Sequence, residues 1–163
     1  MKLSLVGILL AVFFLGSLLA HEGEKHNDKA AQTPPVAVYE AINQAYLKDV
    51  KPIFEAKCHD CHGSGKPLPW YAGLPVIKWL IEYDIREAKE HLDFSDDFPF
   101  TGQGTPAEDL KAILKSTKQQ NMPPLRYLIM HWNSGLTEVD RQAIDYWAKE
   151  GLRVLSQQTP DIE

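Results

Sequence analysis

Residues Cys58–His62 read CHDCH and run on into GSGKPLPW, and this pentapeptide holds both cysteines of the chain. Two thiols three positions apart can form a redox disulfide, supply half of a zinc site, or anchor a haem. The spacing C-x-x-C-H is that of a c-type haem attachment. Its logic is geometric: thiols one helical turn apart each reach a haem vinyl group, and the next residue delivers an imidazole to the iron. On this reading Cys58 and Cys61 are the covalent thioethers of one haem c, and His62 is the proximal iron ligand. The rivals ask for more than the chain offers. A thioredoxin-like redox pair needs a β-α-β context. A structural zinc site needs four ligands, and two cysteines would have to recruit His59, His62 or a distant histidine.

Outward from this segment the pattern is helical. Tyr39, Ile42, Tyr46, Val50, Ile53 and Phe54 recur at three- and four-residue spacing, which predicts a helix interrupted at Pro52, with a second short helix running into Cys58. Residues 63–75 carry too many glycines and prolines for a regular element. Ile77, Leu80, Ile81, Ile85, Ala88 and Leu92 then share one helical face. The loop DFSDDFPFTGQG leads to Thr105-Pro106-Ala107-Glu108, a capping box with proline at the first helical position. Its helix is predicted to end near Asn121. A turn or two of helix follows in LRYLIMHW, and a second capping signature, Thr137 to Asp140, opens the last helix, with Ile144, Trp147 and Ala148 inward and Gly151 as its stop. No strand or hairpin pattern and no repeat is present. The expectation is an all-α domain over residues 39–155, four to five short helices wrapped around one covalently attached haem, with a frayed tail at 156–163. So many breakers imply a thin protein core that the macrocycle completes.

The second axial position has several claimants. Met122 lies in NMPP, where two prolines fix their own φ and bias the residue before them to an extended conformation. Such a loop can hold a thioether against iron, and Met/His is a standard haem ligation. Met122 is therefore the expected distal ligand, with Met130, His131 and His91 as alternatives. Met130 also reads as core, His131 as a hydrogen-bonded structural histidine, and His91 as a cation at a helix C-terminus. His59, between the thioether positions, is badly placed for the same iron. Trp70, Tyr71, Trp79, Tyr127, Trp132 and Trp147 can pack on a macrocycle or bond its propionates, though each also reads as ordinary core. Lys66 and Arg126 are propionate partners on charge alone.

The start of the chain points to export. Lys2 precedes an uncharged apolar run from Leu3 to Ala20, the layout of a signal peptide. The run is also long enough to serve as an N-terminal membrane anchor, so membrane association through residues 3–20 is the alternative to cleavage. Residues 21–38, polar and proline-bearing, read as a flexible linker. The whole chain has 17 Lys and Arg against 22 Asp and Glu, a net charge of −5. That acidity keeps an exported protein soluble and provides no basic footprint for nucleic acid.

The ordered motifs carry a resemblance. Val50–Phe54 (V-x-P-I-F), Cys58–His62, Pro69–Tyr71 (P-W-Y), Trp79–Ile81 (W-L-I), Glu90–Phe94 (E-H-L-x-F), Met122–His131 (M-P-P-x-x-Y-x-x-M-H) and Leu136–Trp147 together resemble the single-haem bacterial haem-binding domain family of c-type cytochromes. The resemblance spans roughly residues 40–151. It implies a cytochrome c-like fold outside the cytoplasm, periplasmic or held at the outer face of the inner membrane, with His62 and Met122 on the iron.

A six-coordinate haem with two protein ligands is expected to carry single electrons between redox partner proteins and to catalyse nothing. The alternative is a haem enzyme or a sensor of peroxide, NO or CO with an open or displaceable distal site, in which His131 or His91 would be the acid–base group. A haem domain kept as a scaffold part is a third possibility.

Overall fold

The computed structural model describes residues 35–157. The signal or anchor segment 1–20, most of the linker and the end of the tail lie outside the described residues. Among the described residues the fold is all-α. Its elements are α1 (Val36–Ala45), a π-turn (Tyr46–Val50), α2 (Lys51–Lys57), α3 (His59–His62), a 3₁₀ turn (Trp70–Gly73), α4 (Pro75–His91), α5 (Pro106–Gln119), α6 (Leu125–Leu128), a second 3₁₀ turn (Trp132–Ser134) and α7 (Glu138–Ser156). The single strand-type pairing described is an isolated antiparallel bridge between Asp93 and Thr101.

The break expected at Pro52 is softer than an interruption. Helical structure runs from Val36 to Lys57, and a π-turn over Tyr46–Val50 precedes the proline, which sits in the first turn of α2. A proline has no N–H to give to the residue four back and crowds that carbonyl, so a widened turn before it lets the chain continue. The same turn serves packing. Ile42, Tyr46, Val50 and Phe54 follow one another at four-residue steps, and all are buried. Each such step drifts by about 40° around an ideal α-helix, and the wider turn takes part of that drift back. The helix begins at Val36, so the last three residues of the segment read as linker are helical, and Val38 packs on the core.

Both predicted capping boxes form. Thr105 accepts from the Glu108 N–H while Glu108 accepts from the Thr105 N–H at 2.8 Å, and Thr137 and Asp140 repeat the exchange. Helix α5 ends at Gln119, with Gln120 left-handed at φ 52°. Gly151 is not a stop. Helix α7 continues through it to Ser156, because the apolar period extends to Leu155, and Gly151 is where the chains cross. A Cβ there would lie 2.8 Å from Leu110 Cδ1 and 3.3 Å from Ile42 Cγ2.

The core is less thin than the breakers implied. Tyr46, Phe54 and Trp147 meet Phe94, Phe98 and Phe100, three rings from the polar-looking loop after α4, with Leu110, Ile113 and Ile144 beneath. Phe54 and Phe94 are 4.5 Å apart, and Phe100 meets Tyr46 edge-on at 5.2 Å. The Trp147 indole N–H donates to the Ile42 carbonyl at 3.1 Å. Of the six aromatics singled out above, Trp147 is core. Trp70, Trp79 and Trp132 are exposed, at 87%, 65% and 85%, and take no part in the core cluster. Helix α4, which carries Trp79, buries none of its 17 residues.

Candidate haem site

The apolar face of α4 borders a cavity of about 1140 Å³. Ile77, Leu80, Ile81, Ile85 and Ala88, residues whose period predicted one helical face, line it. Across the same space lie Cys58, Cys61 and His62 from the α2–α3 junction and Met122 from the loop after α5. The structure therefore brings all four predicted site residues onto one cavity. His91, Met130 and His131 line it as well.

The attachment segment is ordered by its own backbone. The N–H groups of Cys61 and His62 donate to the Cys58 carbonyl at 3.2 and 3.0 Å, closing one helical turn. Gly63 ends that turn, and a Cβ on it would lie 2.5 Å from the His59 ring, so the glycine makes room for His59 to pack. His59 stacks on Phe94 at 6.4 Å. The thiols are free and half-buried. Burial, with Cys61 adding, pushes the Cys58 thiol up to about 12. Burial followed by Asp84 raises Cys61. Both are therefore S–H groups at neutral pH, unlike the low-pKa thiolates of redox motifs. Among the described residues no three His, Cys, Asp or Glu side chains gather as a metal-ion site, which the zinc reading requires.

His62 is held from the segment after α4. Its Nδ1–H donates to the Leu92 carbonyl at 2.7 Å, and the Phe94 N–H donates to the His62 carbonyl at 2.7 Å. The Phe94 ring lies 5.1 Å from the imidazole. A carbonyl can only accept, so the proton sits on Nδ1 and Nε2 carries the lone pair. Burial lowers the His62 pKa against the opposing pull of the Leu92 and Ala88 carbonyls, which keeps the ring neutral. A neutral, oriented imidazole with its other nitrogen tied to a carbonyl is what a metal-ligating histidine needs.

Another part of the lining is a hydrogen-bonded group. His131 stacks on Tyr127 at 4.1 Å and 9°, with its Nε2 3.1 Å from the Tyr71 hydroxyl and its Nδ1 3.1 Å from the Tyr127 carbonyl. The Tyr127 hydroxyl donates to Asp60 Oδ2, and Lys66 Nζ donates to Asp60 Oδ1 at 2.7 Å. Burial works against ionisation of Asp60, but the bonds from Lys66 and Tyr127 outweigh it and hold the carboxyl below its ordinary value. Arg126 makes a two-pronged pair with Asp84 at 3.0 and 2.7 Å. Lys66 and Arg126, singled out for propionates, are thus already matched to carboxylates. Met122 is 46% exposed and Met130 64%, so the reading of Met130 as core is corrected: it follows α6, a four-residue helix that itself buries no residue. Asp60 was not singled out from the sequence, and only its position inside the motif hinted at its place in this group.

The donor set and the apolar wall fit a haem: two thiols, an oriented imidazole and a thioether share one cavity with an uncovered helix face. The haem-binding domain family matches residues 12–150. The chain belongs to the haem-binding domain family. The all-α, cytochrome-like fold read from the sequence stands with it. A stretch of 95 residues, 57% of the chain, is 28% identical to the cytochrome c peroxidase Ccp of Escherichia coli, of which it covers 20%. The chain thus spans about a fifth of that relative's length. No solved structure matches.

Proposed function

We propose that this haem-binding protein is a monohaem c-type cytochrome that carries single electrons outside the cytoplasm. In this reading Cys58 and Cys61 are the thioether anchors, His62 is the proximal ligand and Met122 the distal one. One observation carries it: the two thiols, the Nδ1-tethered imidazole and the Met122 side chain line the same cavity as the bare face of α4. Thioether formation is a balanced addition, in which each sulfur bonds one vinyl carbon and its proton goes to the other, so protonated thiols suffice and no oxidant is required. Bound haem supplies a one-electron ferric–ferrous couple. His62 contributes a fixed Nε2 lone pair. Met122 is favoured over His131 because both His131 nitrogens already have partners. With His62 and Met122 both holding a bound haem, the chain would leave no open coordination site for substrate. Residues 1–20 would direct export or anchor the domain at the outer face of the membrane, residues 21–34 would tether it, and redox proteins would be its partners. No helix among the described residues is long and apolar enough to cross a membrane.

The second reading, a haem enzyme or small-ligand sensor, is favoured by the Tyr71–His131 pair on the cavity wall and by the likeness to a peroxidase. In it a half-exposed Met122 yields its place and His131 moves protons. Expression in a host that matures c-type haem separates these readings. The carrier reading expects a mass increase of one haem, a low-spin visible spectrum, a near-infrared thioether band and no rapid CO binding to the reduced protein. Rapid CO binding at neutral pH selects the second reading. An unmodified, colourless chain sinks both.

A further inference from the structure

Asp60 stands inside the attachment segment yet has no part in attachment or ligation. Its carboxylate is spanned by two donors from different parts of the chain: Tyr127 on Oδ2 and Lys66 on Oδ1, the lysine also reaching the Glu55 carbonyl at 2.8 Å. Tyr127 lies five residues beyond Met122, on α6. That helix has four residues, no side-chain cap and no buried residue, and so short a helix does not hold itself in water. Leu125 on it and Ile129 just after it are exposed, at 75% and 72%. Its contacts to the rest of the domain include the Arg126–Asp84 pair, with the arginine well exposed, and exposed pairs contribute little. The Tyr127–Asp60 bond is charge-assisted and joins α6 directly to α3, the turn that follows Cys58 and carries Cys61 and His62. Pro123 and Pro124, with fixed φ, make a stiff link from α6 back to Met122.

We propose that the Tyr127–Asp60 hydrogen bond is a clasp through which the haem-attachment turn holds the Met122 loop, making Tyr127 a positioning residue for the distal thioether. The clasp rests on the reading of Met122 as a ligand. Through it the residue between the two thiols acquires a role of its own, because the segment that anchors one face of the haem also fixes the ligand offered to the other.

The test uses the haem-loaded protein and its Tyr127→Phe variant, which keeps the ring stacked on His131 and removes only the hydroxyl. Imidazole binding to the ferric form reports how firmly the thioether is held. Losing a hydrogen bond to a charged group is expected to tighten apparent imidazole binding roughly ten- to a hundredfold and to weaken the near-infrared band. Asp60→Asn, which keeps an acceptor without the charge, should give a smaller change in the same direction, and the double variant little more than Tyr127→Phe alone. Imidazole affinity and band within about twofold of the parent in both single variants, whatever the thermal stability does, overturn the clasp. Met122→Ala separates the two possible failures. If it binds imidazole no more tightly than the parent, the ligand assignment falls and the clasp with it; if it binds tightly while Tyr127→Phe does not, only the clasp falls.

Discussion

The imidazole of His62 donates from Nδ1 to the Leu92 carbonyl at 2.7 Å, across 30 residues of chain. The bond makes the segment after α4 a support for the imidazole, because it selects the tautomer in which Nε2 is bare. His62→Ala is expected to keep the mass of one haem, since the thiols are untouched, and to lose the six-coordinate low-spin spectrum. Added imidazole should restore that spectrum by filling the space the ring left. A low-spin spectrum in His62→Ala without imidazole removes His62 from the iron.

Two methionines eight residues apart reach the same cavity, and substitution separates them. Met122→Ala is expected to give five-coordinate or water-bound haem with a lowered potential and new CO binding. Met130→Ala, altering a side chain that is 64% exposed, should leave spectrum and potential as they were. The reverse pattern in visible and near-infrared spectra transfers the ligand role to Met130.

Helices and site differ in how far they were legible in the sequence, for a physical reason. Capping at Thr105 and Thr137 and the period of α4 are local signals, and they placed those elements well. Period shows that a face is apolar, not what covers it, so the α4 face was legible and the cavity it borders was not. Phe94, Phe98 and Phe100 enter the core from a loop with no period at all. The CHDCH turn is local and was read directly. The Asp60–Tyr127 bond spans 67 residues, and no spacing rule reports it.

Gly151 on α7 faces Leu110 and Ile42 with no room for a side chain, and Gly151→Ala sets two effects against each other. Alanine favours a helix interior by up to about 1 kcal/mol over glycine. The added methyl meets Leu110 Cδ1 at 2.8 Å, and Leu110 is fully buried with little room to turn. Overpacking of this kind costs about 1–3 kcal/mol, so a net loss of about 1 kcal/mol and a Tm lower by a few degrees are expected in thermal unfolding. An equal or raised Tm shows that the α7 crossing is looser than these distances state.

Asp109, in the first turn of α5, is buried with Oδ2 lacking a partner. Burial first, and Glu108 beside it second, raise its pKa from 3.8 to about 6. The folded protein then binds this proton more tightly than the unfolded chain, so stability from this group is fully present below about pH 4 and falls as the pH rises to about 6, then stays level. The loss is at most about 3 kcal/mol, and attraction of the carboxylate to the helix N-terminus reduces it. Asp109→Asn removes the titration, so the variant should exceed the parent by about 1–2 kcal/mol at pH 7 and match or trail it at pH 4. Denaturant unfolding of both proteins at these two pH values measures the difference. A gap that does not change with pH means that the carboxyl titrates alike in the folded and unfolded chain.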